Sequence, residues 1–125
     1  MKLSLIESKP KRKPVVAIDL DGTVAKEGDF DSKKIGPPIY NAKEILEKVR
    51  ELGVTIVINT CRDDEKLIKS WFREHHIPYD HINVNPDQPK DTSSKIMADR
   101  YWDNRQPSWR GLQYAYEELQ RYLDR

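Results

Sequence analysis

The apolar run Val15-Val16-Ala17-Ile18 breaks at once into Asp19-Leu20-Asp21-Gly22-Thr23. This junction constrains the chain more than any other. Four consecutive apolar residues, three of them β-branched, suit a strand buried on both faces, which places it inside a parallel sheet. An immediate polar turn puts two carboxylates at the strand's carboxyl end, where open α/β sheets collect their ligands.

The rest of the chain follows an alternating pattern. Asn41 can cap a helix with Ala42, Ile45, Leu46, Val49 and Leu52 at helical spacing, and Gly53 ends it. Val54-Thr55-Ile56-Val57-Ile58 reads as a second strand. Asp63 or Asp64 caps a second helix with Leu67, Ile68, Trp71 and Phe72 inward, and Pro78 forbids its continuation. His81-Ile82-Asn83-Val84 is a short third strand, and Thr92 or Ser93 opens a short helix through Lys95, Ile96 and Met97. Arg100-Tyr101-Trp102 is a fourth strand ending at Asp103, and Leu112, Tyr116, Leu119 and Tyr122 line a closing helix. The expected fold is a three-layer α/β/α sandwich: a parallel, Rossmann-like sheet with helices on both faces. The domain runs over 15–125, behind a flexible basic arm, 1–14, with Lys9, Lys11, Arg12 and Lys13.

Composition narrows the function. The 22 Lys and Arg nearly balance 21 Asp and Glu in 125 residues, against the basic excess of a general nucleic-acid binder. No apolar run approaches the roughly 18–20 residues of a membrane span. The segment Met1–Pro14 lacks the apolar centre of a secretory signal, and the single Cys61 suits a reducing compartment, so the expected location is cytoplasmic.

Asp19, Asp21 and Asp103 fall at strand ends, with Thr60 closing the second strand and Lys95 just before the fourth. Hard oxygen ligands at one point select Mg²⁺, which lets a carboxylate approach an anionic phosphate. One carboxylate can then attack phosphorus while a second moves protons. Lys95 would hold the phosphoryl oxygens by charge, and Thr60 would donate a hydrogen bond to one of them.

This constellation resembles the haloacid dehalogenase-like hydrolases. Asp19-x-Asp21-Gly22-Thr23-Val24 resembles the family's first motif, Val57-Ile58-Asn59-Thr60 its second, Lys95 its third, and Tyr101-Trp102-Asp103 its fourth. Gly36-Pro37-Pro38-Ile39, Thr60-Cys61-Arg62 and Lys95-x-x-Ala98-Asp99-x-Tyr101-x-Asp103-x-Arg105 point to small members without a cap domain. The resemblance implies a Mg²⁺-dependent phosphomonoester hydrolase with an aspartyl-phosphate on Asp19. Asp19 would be nucleophile and metal ligand, Asp21 the general acid/base and a ligand through its backbone carbonyl, and Asp103 the third ligand. Gly22, Thr23, Thr60, Arg62 and Lys95 would contact the substrate. The ending departs from the paired acids common among such members, because Asn104 follows Asp103.

Blander readings stand beside these. Asp21-Gly22 alone is a common turn pair, and Lys95 alone is a solvated lysine. Asp99 sits at the start of its strand and reads as structural. Cys61 reads as a buried neighbour of the site, and Trp109 as a wall of its pocket. His75, His76, Asp80 and His81 make a poor zinc set, because the adjacent histidines point to different sides of a helix. The spacings leave no room for a cap domain, so the 24–39 flap or a neighbouring subunit in a homo-oligomer would cover the site. The expected partner is a phosphorylated small molecule or an accessible macromolecular phosphate, with no membrane. Alternatives are a phosphotransferase of the same family, a receiver-type signalling module, and an inactive relative that binds Mg²⁺ and a partner.

Overall fold

The computed structural model describes residues 12–90 and 95–124. Strand β1 (Val15–Asp19) leads to helix α1 (Ala42–Glu51), then β2 (Thr55–Asn59), α2 (Glu65–Glu74), β3 (His81–Ile82), β4 (Arg100–Trp102) and α3 (Leu112–Leu123). The four strands form one all-parallel sheet in the order β3-β2-β1-β4. The apolar run of β1 therefore lies inside the sheet, with Val15 to Ile18 buried. Residues 1–11 of the arm, and Thr92 and Ser93, lie outside the described residues.

Local chemistry explains each helix. In α1, Ala42, Ile45, Leu46 and Val49 are buried at helical spacing, while Lys43–Glu47 and Glu44–Lys48 pair on the outer face. Asn41 precedes α1 as expected but makes no side-chain cap bond. The cap of α2 is Asp64, whose carboxylate accepts the N–H of Leu67 at 3.1 Å. Ile68, Trp71 and Phe72 are its buried face. In α3, Leu112 and Leu119 are buried, with Tyr116 and Tyr122 packed beside them.

Helices on both faces are not found among the described residues. The buried residues of α1, α2 and α3 join one cluster with Val16, Ile18, Ile56, Ile58 and Trp102, which alternate onto a single face of the sheet. Val15, Ala17 and Val57 on the opposite face are also buried. Handedness explains this. The β1→β2 and β2→β3 crossovers step one way across the sheet, and right-handed connections put α1 and α2 on one side. The β3→β4 connection steps back across the whole sheet, so a right-handed path takes it along the other side. Its residues 95–98 are irregular, not the expected helix through Lys95, Ile96 and Met97.

The amino edge of the sheet is held by two carboxylates, each one residue before an outer strand. Asp99 accepts the N–H of Val15 at 2.8 Å and gives its own N–H to the Val15 carbonyl. It also accepts two bonds from Arg12 at 3.0 Å and one from the Tyr122 hydroxyl at 3.0 Å. Asp80 repeats the pattern on β2, accepting the Ile56 N–H at 2.8 Å beside Arg50 at 3.3 Å. Donors to the Asp99 carboxylate, the Arg12 guanidinium first, hold its pKa down at about 2. No described helix is long and apolar enough to cross a membrane.

Candidate active site

The carboxyl edge of the same sheet carries the expected acids. Asp19 ends β1 in register with Asn59 of β2, and Trp102 pairs with Ile18, which brings Asp103 to the height of Asp19. The Asp19 side chain is 13% exposed. Burial raises its pKa to about 6, and the negative charge of Asp103 adds to the rise. Arg105 opposes it: its Nη2 lies 3.9 Å from Asp19, and its Nε is 3.3 Å from Asp103. The backbone N–H of Arg105 also donates to Asp103 at 2.9 Å. Arg105 carries no role in the sequence motif, yet it supplies the positive charge shared by these two acids. Its position two residues past a strand-end acid, in a turn that folds back on that acid, was the available signal.

A cavity of about 150 Å³ is lined by Asp19, Asp21, Thr60, Cys61, Arg62 and Arg105, among others. Thr60 lies where β2 ends. Its hydroxyl accepts the N–H of Arg62 at 3.1 Å, which leaves its own O–H to donate. Its backbone N–H is held at 2.8 Å by the side chain of Asn83, a residue in the left-handed region with φ 56°. Asn tolerates that region better than other side chains, and this anchor was not legible in the sequence. A second cavity, of about 530 Å³, meets the first at Thr60 and is lined by Lys95, Asn59, Asn83, Ile96 and Tyr101. Thr60 thus stands between Asp19 and the wall that carries Lys95.

Asp21 and Arg62 form a two-bond ion pair. Arg62 donates to both Asp21 oxygens, from Nε at 2.8 Å and from Nη2 at 2.9 Å. The same guanidinium holds the 24–39 flap through the carbonyls of Asp31 at 2.9 Å and Lys34 at 3.2 Å. Its side chain is 5% exposed. Arg62, expected to contact substrate, lines the Asp19 cavity but also serves as a brace, with nearly all its donors used inside the protein. Trp71 adds a second tie to the flap, from its indole N–H to the Gly36 carbonyl at 2.9 Å.

Gly22 and Thr23 are engaged within the protein. Gly22 has φ 91°, and a Cβ there would meet the Asn104 side chain at 2.5 Å. Its N–H is taken by the Ala25 carbonyl at 2.8 Å. Thr23 is buried, and its hydroxyl accepts the Asn104 N–H at 2.9 Å and donates to Asn104 Oδ1 at 3.2 Å. Neither is in the lining of the Asp19 cavity; both clasp the loop after β1 to the loop after β4. Asn104 packs against that clasp. Cys61 is exposed rather than buried, because it follows the buried span of β2 in the first turn beyond it. Trp109 lines a groove beside β4 with Trp102 and Tyr114, not the Asp19 cavity.

Among the described residues, no three His, Cys, Asp or Glu side chains converge as a metal cage, and the histidine group does not assemble. The donors at the Asp19 edge nevertheless fit Mg²⁺. That ion is usually held by one or two carboxylates together with waters and substrate phosphate. Asp19 and Asp103 supply two carboxylates that repel one another and share one exposed guanidinium. The side chain of Asp21 is committed to Arg62, so any ligand from that residue comes from its backbone.

The architecture is similar to two solved structures. A conserved protein from Bacteroides thetaiotaomicron matches with a TM-score of 0.74 and 23% identity, over 89% of this chain and 93% of that chain. A protein from Vibrio cholerae matches with a TM-score of 0.54 and 23% identity, over 89% of this chain and 97% of that one. At this identity the likeness concerns the fold alone. No protein-family model and no curated protein matches the chain.

Proposed function

We propose that this chain is a capless haloacid dehalogenase-like phosphatase that hydrolyses phosphate monoesters with Mg²⁺. The carrying observation is that Asp19, Asp21 and Thr60 line one cavity at the carboxyl edge of β1 and β2, beside the acid pair Asp19–Asp103. Asp19 and Asp103 would hold the ion, whose charge offsets that of the phosphate.

The chemistry divides between the acids. An Asp19 oxygen attacks phosphorus as the bond from phosphorus to the leaving oxygen breaks, and Asp21 gives that oxygen a proton. Water then attacks the aspartyl-phosphate, returning a proton to Asp21 and releasing phosphate from Asp19. A pKa of about 6 leaves Asp19 ionised at neutral pH, as a nucleophile requires. A carboxylate has about four lone-pair sites, so the two bonds from Arg62 orient Asp21 and still leave room for the proton. Thr60 and Lys95 would contact the phosphoryl oxygens from the other side.

The test is turnover of an aryl phosphate. Activity should require Mg²⁺, vanish with a chelator and return on adding Mg²⁺. A single round of phosphorylation without turnover would instead identify a receiver-type module. Phosphate appearing on an added alcohol would identify a phosphotransferase.

A further inference from the structure

The flap carries an aromatic ring that the proposed hydrolysis does not use. Phe30 is 71% exposed. It lines the Asp19 cavity and also a neighbouring cavity of about 380 Å³ under the flap, which shares Asp21 and Arg62 with the first. The second volume falls within the roughly 300–1,000 Å³ of small-molecule pockets. One face of the ring is covered by the Arg62 guanidinium, 4.7 Å from the ring centroid. Arg62 is itself fixed by Asp21 and two flap carbonyls, so the ring is seated on a braced support. Among the described residues it has no aromatic partner.

We propose that Phe30 is the stacking platform for a planar heterocycle on the leaving group, so that the substrate is a nucleoside monophosphate. This rests on the hydrolase reading above. A flat apolar face beside a phosphate site favours a flat ring over an aliphatic alcohol, because stacking removes the open face of Phe30 and one face of the ligand from water. The rim adds a second selection. Lys26 and Lys34 stand among Glu27, Asp29 and Asp31 in the same lining. Such mixed donors and acceptors suit the hydrogen-bonding edge of a base. With Asp21 paired to Arg62, the three rim carboxylates outnumber the two lysines, and this net negative rim disfavours di- and triphosphates and nucleic-acid chains.

The experiment compares adenosine 5′-monophosphate with glycerol 3-phosphate, both with Mg²⁺. The wild-type protein should favour the nucleotide in kcat/KM. Phe30→Ala should reduce that preference by roughly 5- to 150-fold, mainly through KM, which is the range seen for loss of one base–aromatic stack. Phe30→Trp should keep it. Binding of adenosine 5′-monophosphate to Asp19→Asn, followed by calorimetry, provides a readout without turnover, and adding Phe30→Ala should weaken it about fivefold or more. Binding that does not depend on Phe30, or an equal preference in wild type and Phe30→Ala, overturns the platform. If wild type turns over neither ester while Asp19→Asn still binds the nucleotide through Phe30, the platform stands and the hydrolase reading falls.

Discussion

The two edges of the sheet both carry aspartates, and they treat them in opposite ways. At the amino edge, Asp99 is surrounded by donors from Arg12, Val15 and Tyr122, and its pKa is held at about 2. At the carboxyl edge, Asp19 is half-buried beside another acid, and its pKa rises to about 6. One carboxylate stabilises the fold, and the other is maintained against its own electrostatics. The difference teaches where to look for chemistry: at the acid whose surroundings oppose its charge. Asp21 stands between the two cases, clamped by Arg62 but facing the cavity.

The contrast can be broken most severely at Asp19. Asp19→Asn should lower turnover by about 10⁴-fold or more, since an amide cannot replace the nucleophile. The same change should stabilise the protein in chelator. The folded pKa of about 6 exceeds the ordinary 3.8. The wild-type penalty is therefore full above pH 6 and fades as pH falls toward 4. Melting at pH 7 should show a gain of about 1–2 kcal/mol after allowance for solvent access, and the gain should shrink at pH 4.

Asp21→Asn should slow hydrolysis by about 10²–10⁴-fold, more for alkyl than for aryl phosphates, because a poor leaving oxygen needs the proton more. Equal losses for the two ester types would remove Asp21 from the proton path.

At the amino edge the expected outcome inverts. Asp99→Asn should cost about 2–3 kcal/mol by urea unfolding, through loss of charge-assisted bonds, while turnover per folded molecule is retained. The folded pKa of about 2 lies below 3.8, so the stabilisation from Asp99 is present above pH 4 and lost as pH falls toward 2. A large loss of specific activity in folded Asp99→Asn would show that the two edges are not independent.

The smallest effect is expected at the clasp. Asn104→Asp keeps the oxygen that accepts from Thr23 and adds a negative charge next to Asp103. Half-saturating Mg²⁺ in a turnover titration should fall a few-fold, on the order of 1 kcal/mol. An unchanged titration would place residue 104 too far from the ion to matter.

Much of this was legible in the chain itself. Strand β4 begins and ends where its residues suggest, and the apolar spacing in α1 marks its buried face. Asp19, Asp21 and Thr60 could be placed together because parallel strands bring their carboxyl ends to one edge. What escaped depends on side chains meeting across the fold. Nothing local says that the Arg62 guanidinium would turn inward onto Asp21, that Thr23 would clasp Asn104, or that Asn83 would hold Thr60. The absence of a described helix on the second face escaped for another reason: periodicity predicts helices well, but an irregular connection such as 95–98 has no period.

The strand order also sets when the site can exist. β1 is made first but lies inside the sheet, and its neighbour β4 arrives late. The bond between Val15 and Asp99 closes a separation of 84 positions. Until that closure, an emerging chain presents Val15-Val16-Ala17-Ile18 as an open, apolar strand edge, the kind of surface that recruits other chains. Long-range pairing of this sort is slow to form. A copy cut short before residue 100 would lack both the partner that seals this edge and Asp103. The full set of acids at the proposed site and protection from aggregation would therefore be acquired in a single late event.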